Sequence, residues 1–391
     1  MKEDTIGEIG KNRVAFYSAA WRGAGWFVFQ LASAIADAGT PITLIAPHAE
    51  PAERDVQETD LLKRVILPRG AGGKGNFLHR ARRSGWRIFL SFAAIVKARS
   101  RHSIYLVTFP DWLHIGFIQL LLIRVLGARL VYIVHDAKPH AWFFPNRLRW
   151  LELAMLKGSF HLPSHLVTLT HAAKLQIVKE FGVDEHRISV IPHGAFETPK
   201  LAGLSGEKKL LLFGMLRRNK GILETINAMS LLPTDCAAQL TIAGAIHAED
   251  PDYWTECSAA ITRNGGRIRT EIAFIPEERL QQLLSECDAV LLPYSQFNSQ
   301  SGVAVLAGLA GRSLIATDVG GIGELMADGV SMTRIAQPIT SETISAAVVA
   351  YCKRDVADRR ADAGNTRELL KVMLSWTKIG QTYSALLQEI R

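Results

Sequence analysis

The chain has 391 residues, 48% of them hydrophobic and 21% charged, which is typical of a globular protein long enough for two domains. It opens without the basic stretch, long apolar core and cleavage site of a secretory signal, and its longest apolar run, residues 115–134, is interrupted by Arg124 and Arg129. Four widely spaced cysteines without a CxxC pair are typical of reduced thiols. We therefore expect a cytoplasmic protein without a transmembrane span.

The net charge of +8 comes from the first half of the chain. Residues 1–200 contain 26 Lys and Arg against 16 Asp and Glu, whereas the remainder contains 19 against 21. The densest basic stretch, residues 69–101, also contains Trp86 and Phe89. Such a stretch suits either an anionic membrane surface or a solvated loop and helix face. No nucleic-acid-binding motif accompanies the charge, so we expect no nucleic-acid partner.

Short apolar strands alternate with helical patterns along the whole chain, which predicts an α/β protein with parallel sheets. The predicted strands of the first half lie near residues 13–18, 42–46, 64–67, 104–107, 129–134, 166–169 and 188–191. Those of the second half lie near residues 209–213, 239–243, 268–272, 289–292 and 313–316. Residues 198–208 are rich in Pro, Gly and small polar residues and are the best linker candidate. We therefore predict a first domain over residues 1–200, a second over 209–374, and an amphipathic helix over 375–391.

A loop with glycines follows the first strand and opens the first helix. Gly23 and Gly25 resemble part of a phosphate loop, but G-x-G without a third glycine is a weak signal. Trp21 in this loop could stack on a sugar face or pack in the interior. Asp111, after the fourth strand, could lie on the acceptor side of a site or could cap the helix that begins near Trp112.

Two histidines follow later strands of the first half. His135 and Asp136 come directly after an apolar strand, where α/β proteins place ligands. The imidazole could hydrogen-bond a sugar hydroxyl and the carboxylate could accept a proton, or both could serve only the loop. A metal site is disfavoured here because no third ligand is obvious. His193 lies in a Pro–His–Gly exit from the seventh strand, which a tight turn explains structurally.

Three cations follow the first strand of the second half. The strand ends at Gly214, and Arg217, Arg218 and Lys220 precede the next helix. Cations beside such a strand-to-helix turn can bind two adjacent phosphates, Arg as a rigid fork and Lys as a point charge. A basic surface turn is the alternative. An Asp–Pro–Asp string at residues 250–252 is interpreted as a turn and helix cap and not as a metal site.

Residues 288–324 have the order strand, polar loop, helix, strand and glycine loop. The start of the helix is formed by Gln300, Ser301, Gly302 and Val303. A helix N-terminus carries unpaired backbone N–H groups and partial positive charge, so it suits a phosphate. Gly320, after the next strand, lets a ligand approach the backbone. An ordinary βαβ crossover would show the same pattern.

Four of these strings, in order, resemble the family-4-type glycosyltransferases. They are the string ATDVGGIGE that ends at Glu324, the G-x-L-x-x-x-K-G element that begins at Gly214, the histidine after the fifth strand, and the Pro–His–Gly string. The resemblance spans roughly residues 13–324. In one respect the chain departs from the family, because its usual glutamate pair, seven residues apart, would fall near Asn298 and Leu306. The chain therefore resembles a variant branch of that family.

The resemblance implies the GT-B fold, in which two Rossmann-like domains face each other across a cleft and a C-terminal helix crosses back onto the first domain. The second domain would bind the nucleotide sugar. There Arg217 and Lys220 would neutralise the diphosphate, without excluding Arg218, and the backbone near Phe274 and Ile275 would hold the base. Glu324 matches a glutamate that orients the last loop.

The same resemblance implies that the first domain binds the acceptor. His135 would approach the donor sugar near the reacting carbon, and His193 would line the cleft. The glycine loop at Gly23 and Gly25 would lie under the diphosphate and the acceptor.

The implied activity is that of a metal-independent hexosyltransferase without a cofactor, acting on a nucleotide sugar and a saccharide or lipid-linked saccharide in surface polysaccharide synthesis. The basic first domain would contact the anionic inner face of the cytoplasmic membrane. The family retains anomeric configuration, but with the glutamate pair missing, inversion with Asp136 or Asp111 as base stays open. The alternatives are a nucleotide-sugar epimerase of the same fold and a catalytically silent partner subunit. The base, sugar, acceptor, linkage and oligomeric state are left open.

Overall fold

A computed structural model describes residues 13–20, 23–48, 56–69, 77–139, 142–195, 198, 201–247, 250–264 and 266–390. The chain divides into two units, one formed by residues 1–194 with 374–391 and the other by residues 195–373. Each unit contains one sheet in which every strand pairs in parallel with its neighbours. Both units therefore have the α/β architecture that the alternating pattern predicts.

The first unit contains a seven-stranded sheet of order β3-β2-β1-β4-β5-β6-β7. Its strands are β1 (Arg13–Tyr17), β2 (Ile42–Pro47), β3 (Leu62–Leu67), β4 (His102–Thr108), β5 (Arg129–Val134), β6 (His165–Thr168) and β7 (Ile188–Val190). The central strands β1 and β2 are buried along nearly their whole length, because helices cover both faces of a parallel sheet.

The helices of this unit are α1 (Gly23–Asp37), α2 (Phe77–Arg99), α3 (Leu113–Val125), α4 (Arg149–His161), α5 (His171–Phe181) and, from the far end of the chain, α13 (Trp376–Glu389). Helix α13 packs along α1, and its Ile379, Tyr383 and Leu387 lie in the same core as the first strands. The two helices approach closely at Gly380, where a Cβ atom would lie 2.1 Å from the Ala34 carbonyl oxygen. The last helix is thus part of the first unit.

The second unit contains a six-stranded sheet of order β10-β9-β8-β11-β12-β13. Its strands are β8 (Lys209–Phe213), β9 (Gln239–Ala243), β10 (Ile268–Glu271), β11 (Ala289–Leu292), β12 (Ser313–Thr317) and β13 (Met332–Ile335). Its helices are α6 (Ile222–Ser230), α7 (Pro251–Asn264), α8 (Glu277–Glu286), α9 (Gly302–Leu309), α10 (Gly320–Ala327), α11 (Ser341–Lys353) and α12 (Val356–Met373). Four buried cysteines in this unit are free thiols.

Three features of the second unit differ from the sequence analysis. Strand β13 was not predicted, because its string Met-Thr-Arg-Ile is short and lacks an apolar run. The glycine loop after β12 is shorter than expected, since α10 already begins at Gly320. The segment interpreted as a linker is partly fixed: Leu204 is buried, and the fully buried Asp288 accepts hydrogen bonds from the backbone of Gly206 and Lys208.

None of the helices in the described part of the chain has both the length and the apolar character needed to cross a bilayer.

Candidate functional site

In the second unit, the candidate residues follow the two strands at which the order of the sheet reverses. From β8 the chain proceeds outward through β9 to β10, and from β11 it proceeds the other way through β12 to β13. Ligands of open α/β sheets bind at the carboxyl ends of the strands at such a switch point. Lys220 follows β8, and the N-terminus of α9 follows β11. The topology therefore places both at the expected ligand site of this unit.

Lys220 is a buried cation without a counter-ion among the described residues. Lys220 is the last residue of a 3₁₀ turn (Arg218–Lys220). Its Nζ donates to the Phe213 carbonyl oxygen over 3.4 Å and lies 5.3 Å from the centroid of the Tyr294 ring. Burial, and then the positive charge of Arg217, lower the pKa of Lys220 to about 8. A carbonyl and an aromatic ring compensate a buried ammonium only in part, so this site favours an added anion.

The glycine at the end of β8 brings three elements together. Gly214 has φ +106°, and a Cβ atom at this position would lie 2.9 Å from Lys220 Nζ and 3.6 Å from Val303 Cγ2. The ammonium and the first turn of α9 therefore flank the same point of the backbone. A side chain at Gly214 would occupy the space next to both.

Helix α9 has a well-formed N-terminus. Ser301 is its N-cap, with 1% exposure, and its Oγ accepts a hydrogen bond from the Ala304 backbone N–H over 3.2 Å. Gly302 is exposed and Val303 is half-buried, and the capping bond leaves their backbone N–H groups for other partners. Gln300, directly before the cap, is half-buried.

The structure distinguishes the two arginines beside Lys220. Arg218 donates to Asp250 over 2.6 Å, pairs with Glu256, and lies over the Tyr253 ring at 4.6 Å. Arg217 is half-buried, and its Nε is buried without a hydrogen-bond partner. Two carboxylates thus hold Arg218, whereas Arg217 keeps an unused donor, which favours Arg217 as the partner of Lys220.

The remaining predicted donor residues also follow strands of this sheet. Gly320 has φ +45°, and a Cβ atom there would lie 1.6 Å from the Phe297 carbonyl oxygen, so only glycine lets these two loops approach so closely. Glu324 is half-buried on α10. Phe274 and Ile275 follow β10 at the outer edge of the sheet, and the Phe274 side chain is 82% exposed. Their role toward a base stays a prediction.

In the first unit, the order of the sheet reverses between β1 and β4. The loop after β1 contacts the loop after β4, because the Ala19 backbone N–H donates to the Phe109 carbonyl oxygen over 2.9 Å. Gly23 and Gly25 lie in the first turn of α1, just after that loop. The prediction for Trp21 falls outside the described residues.

The two predicted histidines of this unit contact the same phenylalanine. Phe27, nearly fully buried on α1, has its ring centroid 5.0 Å from that of His135 and 4.5 Å from that of His193. Burial lowers the pKa of both imidazoles, that of His135 to about 3, where the neighbouring His193 adds to the effect. The ring centroid of Trp376, on α13, lies 5.9 Å from that of His193. Both histidines are therefore neutral at pH 7 and lie within an aromatic cluster.

Asp111 does not cap the helix that follows it. The N-cap of α3 is Trp112, and it has no side-chain capping bond. Instead, the buried Asp111 carboxylate pairs with Arg87 of α2 and accepts hydrogen bonds from Tyr17 Oη over 3.1 Å and from Gln119 Nε2 over 2.7 Å. The capping alternative is therefore wrong, and the carboxylate is occupied by three donors. Asp136 is half-buried and follows β5.

Several contacts of these sites were not identified from the sequence. Phe27, Thr108 and Arg87 touch predicted residues but lie 24 to 166 positions away from them along the chain. Thr108 alone gave a signal that could have been used, since it ends the strand next to β5 at the same sheet edge. Among the described residues, no group of three or more His, Cys, Asp or Glu could hold a metal ion.

Two protein-family models match successive parts of this chain. Residues 21–195 match the model of Glycosyltransferase Family 4, and residues 207–354 match the model of Glycosyl transferases group 1. The chain is similar to the lipopolysaccharide 1,2-N-acetylglucosaminetransferase of Salmonella typhimurium, with 25% identity over 44% of this chain and 46% of that protein. It is also similar to the glycogen synthase of Mycobacterium tuberculosis, with 26% identity over 66% of this chain and 62% of the synthase. Both matches thus cover less than two thirds of the relative.

Among solved structures, the chain is similar to the Anabaena protein HepE in complex with UDP. The TM-score is 0.68 at 15% identity, over 96% of this chain and 100% of HepE. At this identity the likeness shows the fold alone.

Proposed function

The chain belongs to the family-4-type glycosyltransferases of the GT-B fold, and on this premise we propose that it transfers a hexose from a nucleotide-diphosphate sugar to a saccharide or lipid-linked saccharide acceptor. The observation that supports this most strongly is the buried ammonium of Lys220, which has no counter-ion among the described residues and lies beside the capped N-terminus of α9. Helix N-termini and cations together are a typical diphosphate site.

In the proposed reaction, the bond between the anomeric carbon and the diphosphate oxygen breaks, the acceptor oxygen bonds to that carbon, and the proton of the acceptor hydroxyl passes to a phosphate oxygen of the departing diphosphate. Negative charge grows on the departing nucleoside diphosphate. Lys220, Arg217 and the free N–H groups of the first turn of α9 would stabilise it, without a metal or cofactor. His135 would hydrogen-bond the transferred sugar, as the resemblance implies.

UDP is the proposed nucleotide and retention the proposed stereochemistry. HepE has been crystallised with UDP and with UDP-glucose, which motivates UDP. Family membership motivates retention, which NMR of the product anomer tests directly. The Salmonella relative is named for lipopolysaccharide, which motivates an acceptor destined for a surface polysaccharide.

Thermal unfolding with UDP, GDP and ADP, and with their sugar conjugates, tests the donor site. A ligand that binds only the native state raises its stability by about 2.7 kcal/mol at a concentration 100 times the Kd. We expect stabilisation by UDP in wild-type protein and in Arg218→Ala, because Arg218 is held by Asp250 and Glu256. Lys220→Ala should lose it. Equal stabilisation of Lys220→Ala would contradict the assignment, and turnover of the donor without an acceptor would favour an epimerase.

We also propose that the first unit contacts an anionic membrane through an exposed apolar surface. The surface comprises one stripe of α3 and the exposed aromatic residues of α2, α4 and their loops: Trp86, Phe89, Trp112, Ile118, Leu121, Val125, Phe143 and Trp150. The Trp86 and Phe89 rings stack at 5.5 Å. Exposed Arg82, Arg83 and Arg124 lie on the same helices. Exposed aromatic groups flanked by cations suit the interface of an anionic bilayer.

Co-sedimentation with vesicles tests this contact. Wild-type protein should bind phosphatidylglycerol-containing vesicles, less at high salt, and should bind purely zwitterionic vesicles weakly. Trp86→Ser with Phe89→Ser should abolish binding, whereas Val372→Ser, an equally exposed apolar residue of the second unit, should not. Absence of salt-sensitive binding by wild-type protein would contradict the proposal.

A further inference from the structure

His135 has one hydrogen-bond partner among the described residues, and that partner is Thr108. The distance from His135 Nε2 to Thr108 Oγ1 is 2.9 Å. The imidazole stacks on the Phe109 ring, with centroids 3.8 Å apart, and meets the edge of Phe27 at 5.0 Å. Two aromatic rings and one hydrogen bond therefore fix the plane and the orientation of the imidazole.

The direction of this hydrogen bond follows from the hydroxyl group. Thr108, the last residue of β4, is fully buried, and its Oγ1 has no second hydrogen-bond partner in the described part of the chain. If Nε2–H donated to Thr108, the hydroxyl hydrogen would be buried without an acceptor. Such a group costs about 1–3 kcal/mol. The arrangement without this cost is the one in which Thr108 Oγ1–H donates to the Nε2 lone pair.

A neutral imidazole that accepts at Nε2 carries its proton at Nδ1. His135 is neutral at pH 7, because burial lowers its pKa to about 3. No hydrogen bond to Nδ1 comes from the described residues. Nδ1–H can therefore donate a hydrogen bond to a ligand. The Nε2 lone pair, which could otherwise take up a proton, already accepts the hydrogen bond from Thr108.

We propose that Thr108 is a positioning residue that holds His135 in the Nδ1–H tautomer, so that His135 donates a hydrogen bond to a sugar oxygen and does not act as a base. The assignment of the tautomer follows from the Thr108 contact alone, whereas the identification of the ligand as a sugar rests on the proposed function. The proposal excludes His135 as the general base, so the proton of the acceptor hydroxyl would pass to another group.

Nitrogen NMR of histidine-labelled protein tests the tautomer. Two-bond ¹H–¹⁵N correlations separate a protonated from an unprotonated ring nitrogen, and His135→Asn identifies the His135 signals among the 12 histidines. In wild-type protein we expect an unprotonated Nε2 and a protonated Nδ1. Thr108→Ser keeps the hydroxyl and should keep this pattern. Thr108→Val has nearly the same shape, removes the donor and should shift the population toward Nε2–H.

Kinetics with the same variants test the consequence. Thr108→Val should lower kcat/KM about tenfold, the effect of one lost hydrogen bond of ordinary strength, and Thr108→Ser should restore most of it. A wild-type spectrum with protonated Nε2, or a Thr108→Val spectrum identical to wild type, would overturn the proposal. If the tautomer is as stated but UDP-sugar leaves the His135 signals unmoved, the role of Thr108 in fixing the tautomer is supported, and the hydrogen bond from His135 to a sugar oxygen is refuted.

Discussion

Two cations of this protein are buried to nearly the same degree, one in each unit, and their surroundings differ. Arg87 of the first unit is 8% exposed and pairs with the buried carboxylate of Asp111. Lys220 of the second unit is 9% exposed and donates to one backbone carbonyl. A buried charge needs compensation. The Asp111 carboxylate compensates the charge of Arg87 within the fold, whereas Lys220 has no counter-ion among the described residues. At equal burial, we therefore infer a structural role for Arg87 and anion binding for Lys220.

Removing the paired cation should have the largest effect on stability. Arg87→Met leaves the Asp111 carboxylate buried with only Tyr17 and Gln119 as donors. Breaking a buried pair in this way costs about 3–5 kcal/mol, which chemical denaturation of the first unit would measure. The exposed Arg124→Met serves as the control and should change stability by less than about 0.5 kcal/mol. A small effect at Arg87 would remove the contrast between the two cations.

Removing the unpaired cation should have the opposite effect on stability and a large effect on rate. Lys220→Met relieves the desolvation that lowers the Lys220 pKa, so the free energy of unfolding should stay equal or rise by roughly 1–3 kcal/mol. The transfer rate should fall about 10²–10³-fold, the usual loss for one group that stabilises charge in a transition state. Steady-state kinetics and denaturation of the same sample check both, and destabilisation by this change would contradict the argument.

The pH dependence of UDP binding sharpens the comparison. A bound diphosphate favours the charged form of Lys220. UDP binding is therefore accompanied by proton uptake at pH values where Lys220 of the free protein is deprotonated. Below pH 8 the ammonium is already charged and affinity should be constant, whereas above pH 8 it should fall by up to about tenfold per pH unit. Calorimetry at pH 7 and 9 measures this. Lys220→Arg, charged throughout, should bind with a flat profile, and a flat wild-type profile would contradict the low pKa.

Because burial keeps His135 and other histidines of the first unit neutral, we expect the folded protein to lose stability in acid. The pKa of His135 is about 3 in the folded protein against about 6.5 when unfolded. Below pH 6.5 the unfolded chain therefore binds a proton that the folded chain does not. Stability should fall by up to about 1.4 kcal/mol per pH unit between pH 6.5 and 3 from this group alone.

Other histidines reinforce that trend, because burial also lowers the pKa of His102, His165 and His193. His135→Asn should lower the slope of the pH profile of unfolding by one proton between pH 6.5 and 3. An equal slope in His135→Asn and wild type would show that His135 is not neutral through burial.

The smallest expected effects come from two matched helix caps. Ser301 caps α9 and Thr170 caps α5, each accepting from the backbone N–H three residues on. Replacing either by Ala should cost about 1 kcal/mol of stability. Only Ser301→Ala should also weaken UDP binding, as measured by calorimetry. If Thr170→Ala weakened it as much, the N-terminus of α9 would have no special role.

Much of the fold and of the candidate site could be predicted from the sequence. The alternation of apolar strands and helices predicted the parallel sheets, and of the thirteen strands in the described part of the chain, twelve lie where they were predicted. Because parallel strands end at a common edge, residues that follow strands lie at that edge, and this applies to Gly214, Lys220 and Ser301 in the second sheet and to His135 in the first. Strand β13 was missed because Thr333 and Arg334 interrupt its apolar pattern.

Only the tertiary structure decided which polar groups have partners. Arg217 and Arg218 are neighbours of the same type, yet carboxylates 32 and 38 positions further on hold Arg218 alone. From the sequence, Asp111 could cap a helix or act on the acceptor side, whereas in the structure it pairs with Arg87 of another helix. Local pattern fixes where a side chain lies along its element, whereas the compensation of its charge depends on what distant segments pack beside it. That is why the sequence determined the positions of the candidate residues, and the packing determined their chemistry.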